Sequence, residues 1–450
     1  MFEQAFSERN FRKIFDQENR KGRYLEAEFF PSIVDVSERI QKARRLRRTF
    51  KKGKAALTEV QKVELTKLKK KIEALEAERE LKITEELEKV SALAQSGDFK
   101  FSIKEIDVGL GKTTYTIDKE VASFFAIKQI QANLQRVYKV KQANRQQIVS
   151  QVSKLIADQF PKYILRTDIT SFYESIPTKN IMHKLDEDGL LSVRTRKLIK
   201  QLLHSYQELS GAVCGLPRGI GISAYLAELY MRKFDTMLRS ATGVIYYSRY
   251  VDDLFLVLSP PPNKSVLPDV RRIIQAFKRG GLHRNRDKTS LFDITKGFKP
   301  VKFDFLGYCF TLDANAKIEL TMTAAKKKRY EDRIDRVFAD YLKKSKYDEK
   351  RARRLLVERV KFLTGNTRLV NNKKNVVAGI YFSNSLLHSD GFPDLKALDL
   401  HLSKKASGLS NAALANKITK HTFVDGFQTR RYHKFSATKL AEIVRVWKHG

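Results

Sequence analysis

Residues Ser248–Ser259 read SRYVDDLFLVLS, with two adjacent aspartates set between apolar runs. Neighbouring carboxylates repel each other, and burying either one is costly without a partner. The flanks VIYYSRY and LFLVLS are rich in Val, Ile, Tyr, Phe and Leu, as strands are. They predict a hairpin over 244–258 with Val251-Asp252-Asp253 at its turn. Such a turn would hold its side chains rigidly at one edge of a sheet. A divalent cation makes two carboxylates tolerable there, and oxygen ligands favour Mg²⁺, which keeps waters and shares itself with substrate phosphates. Taken alone, the pair is more simply explained as ordinary turn chemistry.

A second apolar strand changes that balance. YILRTDITSFYESI ends its strand-like run at Asp168, far from Asp252 along the chain. Folding could bring the two together. Two metal ions held by such acids, about 3.5–4 Å apart, can activate a 3′-hydroxyl and stabilise a leaving pyrophosphate.

The composition points to a polyanionic partner. The 450 residues carry 87 Lys+Arg against 51 Asp+Glu, a formal net charge of +36, with 42% hydrophobic residues. That hydrophobic share supports a core and separates this chain from a charged disordered one. Nucleic acid is the first expected partner and an acidic membrane the second. No run of about 18 apolar residues suggests a membrane span, and the N-terminal MFEQAFSERN lacks an apolar signal core. Cys214 and Cys309 are too few for a disulfide framework or a zinc site, and fit thiols in a reducing cytoplasm.

Three regions are expected along the chain. Residues 1–98 form a basic helical extension. The run KARRLRRTFKKGK is read equally well as phosphate contacts or as a solvated helix face. Residues 57–94 have no Pro or Gly and repeat apolar residues at 3–4 spacing, which suits a helical hairpin or short coiled coil packed within the chain. Residues 99–320 mix strands and helices without a strict βαβ period, the pattern of an α+β fold. There VGLGKTTY lacks the first glycine of a phosphate-binding loop, because Ile106 holds that place. It is expected to be a turn between FKFSIKEIDV and TTYTID, followed by one helix over 121–160. Residues 321–450 are expected to be helical and basic. Within them KFLTGNTRLVNNKKNVVAGIYFSN, including Lys373 and Lys374, mixes charge, rings and amides as single-stranded nucleic-acid binders do. The structural alternative there is a loop between helices with Asn at left-handed positions.

YVDD between hydrophobic strands resembles the central motif of reverse transcriptases, and the other motifs follow in that family's order. DITSFYESI (168–176) resembles the first palm motif and GLPRGIGISAYLAELY (215–230) the second. GLHRNRDKT (281–289) is similar to the motif after the YxDD hairpin, and FDFLGY (303–308) to the primer-grip hairpin. The resemblance implies a right-hand polymerase of fingers, palm and thumb. It implies catalytic metal ligands Asp168 and Asp252, a supporting Asp253, and a coordinating carbonyl at Ile169. Tyr173, five residues after Asp168, would be the steric gate that excludes a 2′-hydroxyl and selects dNTPs. Phe172 beside it would point to the opposite face of a strand and into the core. Gly219 would let the backbone approach the nascent base pair, or simply serve a helix-entry turn. Lys288 would assist the leaving pyrophosphate, or be a surface lysine. Arg145 would contact the triphosphate, Arg218 the template phosphates, and Gly307 the primer. The implied cofactor is two Mg²⁺ ions, replaceable by Mn²⁺ in vitro. The implied partners are an RNA template, the DNA product and dNTPs.

The form DIxSFYESI, and the segments FSERNFRKIFDQENRKGRYLEAEFFP and FLTGNTRLVNNKKNVVAGIYFSN, resemble bacterial defence-associated reverse transcriptases. They look most like the first subunit of the type-3 two-polymerase system. That resemblance implies antiphage activity, a noncoding RNA, a companion reverse transcriptase, and homo- or hetero-oligomers. Two rival functions remain: untemplated or protein-primed DNA synthesis, and a polymerase-derived RNA scaffold without catalysis.

Overall fold

The computed structural model describes residues 3–21, 23–52, 58–107, 113–158, 160–261, 265–295, 300–313, 317–368 and 377–447. The chain divides into two compact units, Met1–Lys141 with Ile176–Tyr230, and Gln142–Ser175 with Met231–Gly450. Antiparallel sheets and helices interleave in an α+β fold, as the sequence pattern predicts. No helix among the described residues is long and apolar enough to cross a membrane.

In the first unit, the stretch expected to form a hairpin or coiled coil over 57–94 is one helix, Glu59–Gln95, and it pairs with the helix Pro31–Lys52. Thr58 starts the second helix with a capping box: its side chain accepts from the Gln61 amide, and the Gln61 side chain accepts from the Thr58 amide. Val36, Ile40 and Leu75 close the seam, and Arg79 pairs with the buried carboxylate of Glu26, which also accepts from Ser37 Oγ at 2.6 Å. Strands β1 (Ile103–Asp107) and β2 (Thr113–Ile117) pair antiparallel, with Ile103 opposite Ile117. Residues 108–112 of the VGLGK stretch lie outside the described residues.

The single helix expected over 121–160 is two helices. Val121–Tyr138 ends at Lys139, whose φ is 50°, and Arg145–Ala157 starts anew. Asn144 causes the restart, because its side chain accepts from the amides of Gln146 at 3.0 Å and Gln147 at 3.3 Å. Hydrophobic periodicity survives a short break, so the pattern alone hid it.

The second unit holds a four-stranded antiparallel sheet in the order β4-β5-β3-β6. Its strands are β3 (Lys162–Asp168), β4 (Val244–Tyr250), β5 (Asp253–Leu258) and β6 (Ser290–Ile294). A second sheet runs β7 (Val301–Phe305), β8 (Tyr308–Leu312), β9 (Ile318–Met322). Phe255 of β5 meets Phe303 and Phe305 of β7 at centroid distances of 5.9 and 5.2 Å, so the two sheets share one core. That core continues into the helices Ala324–Lys344, Glu349–Thr364 and Pro393–Ser407.

The C-terminal region is not wholly helical. Strands β10 (Asn366–Arg368), β11 (Val377–Gly379) and β12 (Tyr432–His433) form a small sheet in the order β11-β10-β12. Asn366 is therefore neither a left-handed loop residue nor a base-reading amide. It is 2% exposed, donates to the carbonyls of Gly426 at 2.9 Å and Arg431 at 3.3 Å, and accepts from the Tyr381 amide at 3.0 Å. Three-residue strands are too short to show periodicity, so the sequence could not announce them.

Candidate active site

Strand β3 pairs with β5 so that Asp168 lies opposite Asp253, and Tyr250 of β4 pairs with Asp253 from the other side. Val251 and Asp252 form the turn, and Asp253 is the first residue of β5. The carboxylate oxygens of Asp168, Asp252 and Asp253 lie within 4.8 Å of one another. Asp168 is 6% exposed, and the other two are half-buried.

The turn is strained. Val251 has φ 58°, a left-handed conformation that a β-branched residue rarely adopts. Such residues cost on the order of 1–3 kcal/mol and persist only where surrounding contacts hold them. Here the contacts are explicit. Arg249, nearly buried, donates Nη1 to the Val251 carbonyl at 2.9 Å. Its Nε and Nη2 each reach a different oxygen of Asp235 at 2.8 Å, and the Tyr247 hydroxyl donates to Asp235 Oδ1 at 2.7 Å. On the other side, the Ile169 amide donates to the Asp252 carbonyl at 3.1 Å. Backbone bonds fix β3's end as well, from the Asn285 amide to the Asp168 carbonyl at 2.7 Å and from the Thr170 amide to the His283 carbonyl at 2.8 Å. The clamp of Arg249 and Asp235 was missed at the sequence level. Its signal was an arginine inside an apolar strand, which demands a partner.

Electrostatics follow from this geometry. Burial, then the charges of Asp252 and Asp168, push the Asp253 carboxyl up to about 6, while Arg166 and Lys288 act against the rise. Lys288 Nζ donates to Asp168 Oδ2 at 3.0 Å, and that bond raises the Lys288 ammonium above its ordinary value. Three converging acids with one exposed lysine at their rim leave surplus negative charge. That donor set fits a divalent cation.

The remaining predicted residues sort as follows. Ile169 is buried and bridged to Arg284. Tyr173 is half-buried and Phe172 is 2% exposed, with ring centroids 5.3 Å apart. Phe172 enters the core as expected, but both residues lie on the one-turn helix Phe172–Ser175, so strand alternation is not what separates them. Arg145 and Gly307 meet. Arg145 donates Nε to the Leu306 carbonyl at 2.8 Å, donates Nη2 to the same oxygen, and stacks over the Tyr308 ring. A Cβ on Gly307, whose φ is 74°, would stand 2.7 Å from Arg145 Nη2. Arg218 and Gly219 belong to the first unit. There the Arg218 carbonyl accepts from the Tyr115 amide at 2.7 Å, and a Cβ on Gly219 would come within 2.6 Å of the Tyr115 carbonyl. The close approach that demands this glycine is to the chain's own β2. Lys373 and Lys374 lie outside the described residues.

Residues 116–310 match the profile of the family described as reverse transcriptase (RNA-dependent DNA polymerase). This segment is similar to reverse transcriptase domains. All three aspartates, the Val251 turn and the clamp from Asp235 fall inside it. Two similar solved structures are telomerases. One is telomerase from Candida albicans in complex with a TWJ fragment of telomeric RNA, 15% identical, covering 65% of this chain and 56% of that one, with a TM-score of 0.32. The other is apo telomerase from Candida tropicalis truncated from its C-terminal domain, 15% identical, covering 49% and 55%, with a TM-score of 0.34. The chain thus spans about half the length of these telomerase chains. No curated protein matches it.

The acids of this segment and their clamp carry two predictions. Asp253's folded value, about 6, exceeds its ordinary 3.8, so the folded state holds this proton more tightly than the unfolded chain. Stability from this group therefore grows as pH falls through 6 toward 4, and the charged form destabilises above 6. Asp253→Asn should raise the melting temperature at pH 7.5 in chelator, by up to ~2 kcal/mol of stability. That gain should shrink at pH 5, as melting curves at both values will show. Asp235→Ala strands Arg249 and frees the Val251 turn. It should weaken Mn²⁺ binding at the triad by about 10–100-fold, followed by electron paramagnetic resonance. Unchanged Mn²⁺ affinity would reduce the clamp to a purely structural contact.

Proposed function

We propose that this chain is an RNA-directed DNA polymerase that extends a primer with dNTPs by metal-dependent phosphoryl transfer. The observation that carries it is the convergence of Asp168, Asp252 and Asp253 within 4.8 Å, inside the segment that matches the reverse transcriptase profile. Asp168 and Asp252 would hold two Mg²⁺ ions, which Mn²⁺ replaces in vitro, with Asp253 and the Ile169 carbonyl supporting them. Bound ions of this kind activate the attacking hydroxyl and neutralise charge on the leaving pyrophosphate.

The chain's own residues do the rest. The sheet and the Arg249 clamp keep the acids at fixed separation, so little reorganisation is needed when substrate binds. Lys288 occupies the rim as a full ammonium and faces the negative triphosphate once Asp168 is neutralised. Tyr173 selects the sugar by bulk. The net charge of +36 favours association with RNA template and DNA product. In this proposal 99–320 supplies fingers and palm, 321–450 the thumb, and 1–98 an extension.

The finer proposal is antiphage defence in the bacterial cytoplasm, with a noncoding RNA and a companion reverse transcriptase subunit. The similarity of the segments around 7–31 and 362–384 to type-3 defence polymerases supports it. Sequencing the nucleic acid that copurifies from cells tests the RNA partner directly.

Converting Asp252 and Asp253 together to Asn should reduce dNTP incorporation by ~10³-fold or more, with RNA affinity within about twofold of the parent. Phage protection that persisted in this variant would replace the polymerase proposal with the scaffold. Tyr173→Ala should admit ribonucleotides, lowering the dNTP/NTP preference in kcat/KM by at least ~10-fold, the scale of steric discrimination by a pocket. Unaltered sugar preference would remove Tyr173 from the gate.

A further inference from the structure

The paired helices Pro31–Lys52 and Glu59–Gln95 have charge sorted along their length. Over 59–72 the second helix carries five lysines against two glutamates, and over 73–95 seven glutamates against three cations. The first helix carries seven cations and no acid over 41–52. The root of the hairpin is laced with ion pairs, such as Arg39 with Glu78 at 3.7 Å and Arg44 with Glu76 at 2.6 Å. Beyond them toward the tip, Arg45, Arg47, Arg48, Lys67, Lys70 and Lys71 make no ion pair or side-chain hydrogen bond among the described residues. All are exposed except Arg47, which is half-buried.

Register makes the sorting sharper. Ser32 meets Glu86, Arg39 meets Glu78 and Arg44 meets Glu76, so the helices run antiparallel. The same register carries Arg47 and Arg48 to the level of Lys71 and Ile72. Like charges therefore face each other across the seam. An ordinary solvated hairpin would alternate signs, as this one does at its root. Lys67, Lys70 and Lys71 share one face at i, i+3 and i+4, and Arg45 and Arg48 share one at i, i+3. The result is a two-helix stripe of uncompensated cations.

We infer that the tip of this hairpin is a docking arm for the phosphate backbone of a base-paired RNA. The six unpaired residues of the stripe are all cations, which reach phosphate, whereas single-strand binding relies on rings for stacking. Duplex RNA offers paired rows of phosphate and is held by shape and backbone contact. A membrane fits less well. The exposed apolar residues near the tip, Leu46, Val60 and Val63, do not form the broad apolar face that interfacial helices bury. This assignment deepens the polymerase proposal by giving structured RNA a place to dock away from the acids.

The test uses the full chain and a variant with Arg45, Arg48, Lys67 and Lys70 all changed to Gln. Glutamine keeps helix propensity, and an unchanged melting temperature certifies the fold. The probe is an RNA hairpin of ~20 base pairs and arbitrary sequence, titrated by fluorescence anisotropy at several salt concentrations. The variant should bind at least ~10-fold more weakly, and its slope of log K against log salt should flatten by about 3, near 0.9 per lost phosphate contact. Single-dNTP incorporation on a saturating short primer–template should not change. An unaltered affinity and slope would overturn the arm. So would arm-dependent binding to phosphatidylserine vesicles without arm-dependent RNA binding, or an arm-dependent preference for DNA duplex over RNA duplex. Failure of the polymerase proposal would appear separately, as absent incorporation in the parent chain while the anisotropy result stands.

Discussion

Three carboxylates whose oxygens lie within 4.8 Å of one another do not assemble spontaneously. Their mutual repulsion must be resisted by something stiffer than a loop. Here it is the antiparallel register of β3 against β5, which sets Asp168 directly opposite Asp253. Leu254 to Leu258 are all buried on β5, on both faces of the strand, so sliding it along β3 would draw Asp253 into apolar packing or a leucine out of it. Hydrophobic burial thus supplies the force that keeps the acids together. The raised Asp253 carboxyl reflects that burial first and the neighbouring charges of Asp252 and Asp168 second.

Backbone strain sits at the same motifs. Val251 in YVDD, Ser171 in DITS and Leu306 before Gly307 all adopt positive φ. Two of these turns are fastened by arginines. Arg249 holds the Val251 carbonyl, and Arg145 holds that of Leu306. Both arginines hold backbone carbonyls at strained turns, and Arg145 braces the hairpin that bears Gly307.

Much of this was legible before any coordinates. The strands around SRYVDDLFLVLS, the Asp168 strand and the helical character of 57–94 follow from local periodicity. Motif order then marked Asp168, Asp252 and Asp253 as one site. What escaped depended on partners distant in sequence. The break at Lys139 to Asn144 hid beneath continuous amphipathicity. The role of Asn366 was misread because its three hydrogen-bond partners lie up to 65 residues away. The close approach of Gly219 to the Tyr115 carbonyl likewise joins residues far apart in sequence.

The sequence by itself determined the α+β class, the identity of the acids and the sign of the chain's own net charge, because these depend on residue type and short-range period. Only the tertiary structure decided which acid bears the strain of proximity and which arginine braces which turn. It also decided that cations toward the hairpin's tip, such as Arg48 and Lys71, lie level with one another without an ion pair among the described residues. Those properties are distances between residues far apart in the chain, and no local pattern encodes a distance.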